Sequence, residues 1–249
     1  MASRKTALTT IQLAMTPIFT ALVAVATMVF VIYIPATTGY FNIGEAVIYI
    51  AAILFGPYVG AISGGVGAAI ADLILAPVYA PATLIIKALE GAIVGFLSQK
   101  TLKTGSKLQW KTFTFILGLL IGLLLIVIGS YYYSGEVQLF FGIPPPQDPT
   151  ITFFVPAEFW YALGALVTAL TVFVGFKLEP EFGWLVFIIF LAGLEMVVGY
   201  FLYQQFVMGK AAVVEIPVNI GQMLIGLILA IPVVKAVWRA LPTLKKTLQ

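Results

Sequence analysis

The chain has 249 residues, 61% hydrophobic and 9% charged, with a formal net charge of +3 and a mean hydropathy of +1.09. Soluble domains carry about 25% charged residues, so this is the composition of an integral membrane protein, and a charge of +3 not gathered on any soluble face gives no reason to expect nucleic-acid binding. Neither cysteine nor histidine occurs, which excludes disulfides, thiolate and imidazole metal ligands, cysteine nucleophiles and histidine bases.

Eight apolar stretches follow one another, at 7–34, 44–56, 58–76, 81–99, 111–133, 156–177, 183–207 and 213–240. Their length and their glycine, proline and polar interruptions predict an all-α polytopic protein, because a bilayer offers backbone groups no partner outside their own helix. The opening MASRKTALTT suits the basic end of a signal peptide, but the apolar run behind it reaches Pro35, too far for a signal core. It is predicted as a first spanning helix with a bend at Pro17. The second stretch has 13 residues, rising roughly 20 Å against a hydrocarbon core of about 30 Å, and LFGPYVG joins it to the third without a polar loop. Residues 100–111 form a basic connection that reads as a topology signal or a lipid-headgroup or partner contact. Between the fifth and sixth stretches, GIPPPQDP favours an extended segment over a helix.

Eight crossings return both termini to one side. With the N-terminus inside, eleven basic residues, from Arg4 and Lys5 to Lys245 and Lys246, are cytoplasmic and only Lys210 lies in an outer connection, as the positive-inside rule requires. Trp110, Trp184 and Trp238 then fall at the inner interface, and Trp160 with Tyr131–Tyr133 at the outer one.

Two features rise above plain hydrophobicity. Gly56, Gly60, Gly64 and Ala68 recur every four residues, and Lys87, Gly91 and Gly95 repeat the spacing on the fourth stretch, so two smooth stripes are available for close helix packing. The second feature is a set of intramembrane polar groups. A charge at mid-bilayer costs roughly 2.5–3.5 kcal/mol even on insertion scales, so several together should face a protein interior or an aqueous cavity. Asp72 near the outer end of the third span and Lys87 two turns below the outer end of the fourth sit at similar depth. Glu215, Asn219 and Gln222 share a face near the outer end of the last span, with Pro217 between them. Glu45 opens the second span, Tyr200 and Tyr203 close the seventh, Tyr40 and Asn42 lie in the first outer loop, and Glu195 is deeper. The inner half is almost wholly aliphatic, which argues against a continuous ion pathway and suits a pocket opening outward. Amide, carboxylate and ammonium groups there would hydrogen-bond a flat ligand that tyrosines stack. For Lys87, Glu90 and Asp72 a structural role stays equally open, with Glu90 pairing Lys87 at i, i+3 and Asp72 neutralising it.

TGYFNIGEAVIYIAAILFGPYVGAISGGVGAAIADLILAPVYAPATLIIKALEGAIVG, followed by GYFLYQQFVMGKAAVVEIPVNIGQMLIGLILAIP, resembles the substrate-binding S components of energy-coupling factor (ECF) transporters. The resemblance covers about 7–105 and 183–242. It implies a six-helix S-component-like core; the chain departs from that pattern in two additional transmembrane helices, about 106–180, inserted between core helices 4 and 5, all in a single membrane domain, 1–249. It further implies capture of a vitamin-like micronutrient from outside, a transmembrane coupling subunit, two separate ATPase subunits, a plasma-membrane location, and no cofactor of its own. Consistently, the chain carries no GxxxxGK[ST] phosphate-binding loop. The family's ligand site maps onto Tyr40–Glu45, Lys87, Tyr200, Tyr203, Glu215, Asn219 and Gln222. Family coupling runs through small residues on the first helix, often an alanine pair four apart. This chain departs from that pattern, and its nearest equivalent is the stripe Thr16, Thr20, Ala24.

An intramembrane enzyme is a poor fit. Asp148, one of only two aspartates, lies in a predicted outer loop, no GxGD occurs, and Ser63 and Ser98 sit at the wrong depth for Lys87. An ion-coupled secondary transporter of a small polar solute is the alternative. Without histidine, nickel or cobalt is not an expected cargo, and the groups present favour a heteroaromatic vitamin: a pyrimidine or thiamine precursor, a pyridoxine form, or riboflavin.

Overall fold

The computed structural model describes residues 2–100, 107–141, 144, 146–177, 180–207 and 209–242. Lys103, Lys245 and Lys246, which carry part of the predicted charge asymmetry, and Ile143 and Pro145 of the proline-rich segment lie outside the described residues. Eight α-helices fall within a few residues of the predicted stretches: α1 Ala2–Val29, α2 Gly44–Phe55, α3 Pro57–Leu75, α4 Ala80–Ser98, α5 Lys107–Tyr132, α6 Ala157–Lys177, α7 Pro180–Val207 and α8 Glu215–Ala240. A 3-10 turn, Gly209–Val214, leads into α8. Prolines near the starts of α3 and α4 lie where a missing N–H leaves no helical bond unmade. Between α2 and α3, Gly56 adopts φ 90°, ψ −176°, a conformation open essentially to glycine, so one residue separates two helices.

Six helices are long and apolar enough to cross a membrane, namely the described spans in α1, α3, α4, α5, α7 and α8, while Gly44–Phe55 and Ala157–Phe173 are shorter apolar segments. The chain is therefore a multi-pass membrane protein. Exposed Leu73, Ile85, Ile116, Val127 and Ile228 coat the long helices, a surface suited to lipid.

The two small-residue stripes meet. A Cβ added at Gly60 would lie 2.6 Å from the Gly91 carbonyl oxygen, and one at Gly64 would lie 2.7 Å from that of Lys87, so α3 and α4 touch backbone to backbone. On the other side of α3, a Cβ at Gly67 would lie 2.6 Å from the Thr20 carbonyl oxygen of α1. α4 packs on α7, and α2 on α8. The core they enclose centres on Ile48, Tyr49, Ile188, Met196, Ile220 and Met223. α5 and α6 form a hairpin closed by Gly122 and Gly164, each without room for a Cβ against the other helix. α6 packs chiefly on α5, and α5 reaches the rest through α8, the 3-10 turn and an edge-to-face contact of Phe113 with Phe187.

One addition to the predicted all-helical picture is a small antiparallel sheet in the order β2-β1-β3-β4, from β1 Ile32–Ile34, β2 Gly39–Phe41, β3 Gly135–Phe141 and β4 Ile151–Val155. Tyr33 pairs with Tyr40 in the first hairpin, while Ile32 and Tyr33 pair with Phe141 and Phe140 on their other side. The connection between α5 and α6 is thus a second hairpin knitted to the first.

Candidate functional site

The β1–β2 hairpin is tied at four points to the ends of the neighbouring helices. Tyr40 donates its phenol proton to Asp72 of α3, and Thr37 donates to Glu215 of α8. The Tyr79 hydroxyl, at the start of α4, donates to the Thr37 carbonyl at 2.7 Å. Asn42 donates from its backbone N–H and its amide to Gln222 Oε1, at 3.2 and 2.5 Å. Burial, and then the adjacent Asp72 carboxylate, push the Tyr40 phenol well above its ordinary range, so it remains a donor. The missing side chain at Gly39 leaves room for the Glu215 carboxylate, which a Cβ would displace.

Beneath the hairpin lies a cavity of about 40 Å³ lined by Gly39, Tyr40, Asn42, Asp72, Tyr79, Lys87, Tyr200, Gln204, Glu215, Asn219 and Gln222. Ligand pockets generally span roughly 300–1,000 Å³, so the walls must part to admit anything of vitamin size. A smaller recess of about 20 Å³ adjoins it, lined by Thr27, Glu45, Ile48, Ala68 and Thr83 together with residues of the first. α8 supplies the amide wall, where Gln222 Nε2 donates to Asn219 Oδ1 at 3.0 Å. Thr83 donates to the second Asp72 oxygen and lies 2.7 Å from the Tyr200 hydroxyl.

The floor is ionic. Lys87 Nζ is paired with Glu45 of α2 and, at 3.1 Å, with Glu90 one turn on, and it sits 5.4 Å from the centre of the Tyr200 ring. Tyr49 donates to the other Glu90 oxygen at 2.7 Å. The three charged side chains are 5% exposed or less, and such burial is tolerable for charges only when they are mutually satisfied. Glu195 is half-buried, with one carboxylate oxygen unpartnered.

Of the residues nominated from sequence, Tyr40, Asn42, Asp72, Lys87, Tyr200, Glu215, Asn219 and Gln222 line the cavity and Glu45 the recess, whereas Glu90 and Tyr203 line neither. Glu90 lies under Lys87, and the Tyr203 hydroxyl donates outward to the Val78 carbonyl at 2.6 Å. The partner of Lys87 beyond Glu90 is Glu45 and not Asp72, whose oxygens are taken by Tyr40 and Thr83. On α1, Thr16 and Thr20 bond back to Gln12 and Thr16 carbonyls and are half-buried, and Ala24 is buried.

Sequence reasoning missed Thr37, Tyr79, Thr83 and Gln204. Gln204 is 2% exposed, donates to the Tyr79 hydroxyl at 3.3 Å, and keeps its Oε1 unpartnered. It stands four residues after Tyr200, and that i, i+4 relation to a nominated residue was the available signal.

A family model described as the S component of ECF-type riboflavin transporters matches residues 7–177, which takes in the α5–α6 hairpin. A protein of Pyrococcus woesei, described only as an uncharacterized protein in a gap 3′ region, is 44% identical over 107 residues, 43% of this chain and 67% of its own. No solved structure matches the chain.

Proposed function

The chain belongs to the family of S components of ECF-type riboflavin transporters, and on that premise we propose that it captures a flat heteroaromatic vitamin of the riboflavin, pyridoxine or pyrimidine class from the outside. The family is one of transporter subunits and not of enzymes. The observation that carries the reading is the cavity under the β1–β2 hairpin, where Tyr40, Tyr79 and Tyr200 surround the amides of Asn42, Asn219 and Gln222. Aromatic faces and paired donors and acceptors are what such a ring needs. The ligand would be handed on through a transmembrane coupling subunit driven by two ATPases, with both termini cytoplasmic. The half-buried state of Thr16 and Thr20 on α1 supports reading that stripe as the contact for a coupling helix. We read α5–α6 as an addition to a core of α1–α4, α7 and α8, because α6 packs chiefly on α5 while α2 and α4 pack on α8 and α7.

Mass spectrometry of small molecules carried through gentle purification, followed by titration of the identified compound, tests the capture step. Asn219→Ala and Gln222→Ala should each weaken binding about 10-fold, as loss of a buried hydrogen bond does; unchanged affinity in both folded variants overturns the site. Uptake into vesicles holding this chain alone, driven by a proton or sodium gradient without ATP, would replace the reading with that of a secondary transporter.

A further inference from the structure

The charges around the cavity bear on what it can hold. Among the described residues Lys87 is its one cationic lining residue, and two carboxylates, Glu45 and Glu90, already hold that ammonium. Asp72 and Glu215 stand at the cavity wall hydrogen-bonded by hydroxyls, Tyr40 and Thr83 for the first and Thr37 for the second. Among the described residues, no uncompensated cation is left to face an anion. The wall also holds a free acceptor. Gln204 Oε1 is buried without a partner, while its amide nitrogen is fixed on the Tyr79 hydroxyl, which in turn holds the Thr37 carbonyl. A buried carbonyl oxygen left without a donor costs free energy that a bound N–H or O–H would recover. The chain Gln204, Tyr79, Thr37, Glu215 therefore presents acceptors at both ends.

We infer that this cavity selects the uncharged or cationic form of its ligand, read by a hydrogen-bond donor on Gln204 Oε1 and the Glu215 carboxylate, and rejects the phosphorylated or carboxylated form. This rests on the capture reading and narrows it to a chemical class. An anion entering here would lose its water beside Asp72 and Glu215 with no free cation among the described residues to compensate it, and an uncompensated buried charge is strongly disfavoured.

The test is a set of matched pairs titrated against the full chain in lipid nanodiscs: riboflavin with its 5′-phosphate, pyridoxine with its 5′-phosphate, and thiamine with its monophosphate. Within the pair that binds, the unphosphorylated member should bind at least ~100-fold tighter. Glu215→Gln should narrow that gap about 10-fold by gain for the phosphate ester. Gln204→Met, which keeps the bulk and removes the acceptor, should weaken the unphosphorylated member about 10-fold. A phosphate ester that binds as tightly as its parent overturns the charge selection and leaves vitamin capture standing. Failure of every pair to bind the folded protein overturns the capture reading, and this inference with it. Equal affinity in folded Gln204→Met removes Gln204 from ligand contact and overturns the acceptor assignment.

Discussion

Replacing Lys87 with methionine keeps most of the length of the side chain and removes the cation that Glu45 and Glu90 share. Glu45 and Glu90, at 1% and 0% side-chain exposure, would then face each other with no compensating charge. Breaking a buried pair by deleting one partner costs about 3–5 kcal/mol, or roughly 6–20 °C in unfolding midpoint for a chain of this size. Thermal unfolding in detergent, followed by tryptophan fluorescence or by loss of monomer in size-exclusion chromatography, reads this directly. The decisive variant is the triple Lys87→Met, Glu45→Gln, Glu90→Gln. With no charge left to strand, it should regain most of the lost stability, in the non-additive manner of residues that act as one network. Because the ammonium is spent on the floor, the triple variant should also keep ligand affinity within a few-fold. A stable Lys87→Met single variant would refute the ion-paired floor. A triple variant that is well folded yet binds no ligand would show that the ionic floor reaches the ligand after all.

Gly91→Val would force its side chain into the Gly60 carbonyl, and overpacking of this kind costs about 1–3 kcal/mol; a lower unfolding midpoint checks it, and one unchanged from wild type would refute backbone contact of α3 with α4. Tyr40→Phe leaves Asp72 with Thr83 alone, so the hairpin should be cut faster at Pro35–Tyr40 in limited proteolysis, while helix content by circular dichroism stays unchanged. Replacing 136–154 with a short glycine-serine linker should raise both association and dissociation rates of the ligand by stopped-flow fluorescence, with little loss of thermal stability. Equal rates would mean that the second hairpin does not restrain the first.

The helices were legible because their signals are local. Sustained hydrophobicity, prolines at helix starts and the Gly56 break lie within a few residues of the boundaries they set. The glycine stripes announced a close contact, and their regular spacing sufficed to predict it. The sheet was not legible: IYI and GYF are too short to show alternation, and β1 meets β3 across more than a hundred residues. The pairing of Lys87 with Glu45 was hidden for the same reason. Sequence places Glu90 within reach of Lys87 through helical spacing, but only the packing of α2 against α4 brings Glu45 there. Thr37, Thr83 and Gln204 do not stand out in sequence because hydroxyls and a single amide at helix ends or in turns are common; what sets them apart is burial and hydrogen bonding around one cavity.

β1 is hydrogen-bonded along both edges, to β2 on one side and β3 on the other. Raising this strand from the cavity therefore means either unzipping a seam of backbone bonds or swinging the second hairpin with it. Both are collective motions, which belong to the microsecond-to-millisecond range and not to the nanosecond flicker of a free loop. Ligand entry is thus expected to saturate at high concentration, at a rate that belongs to the protein and is the same for every compound that fits.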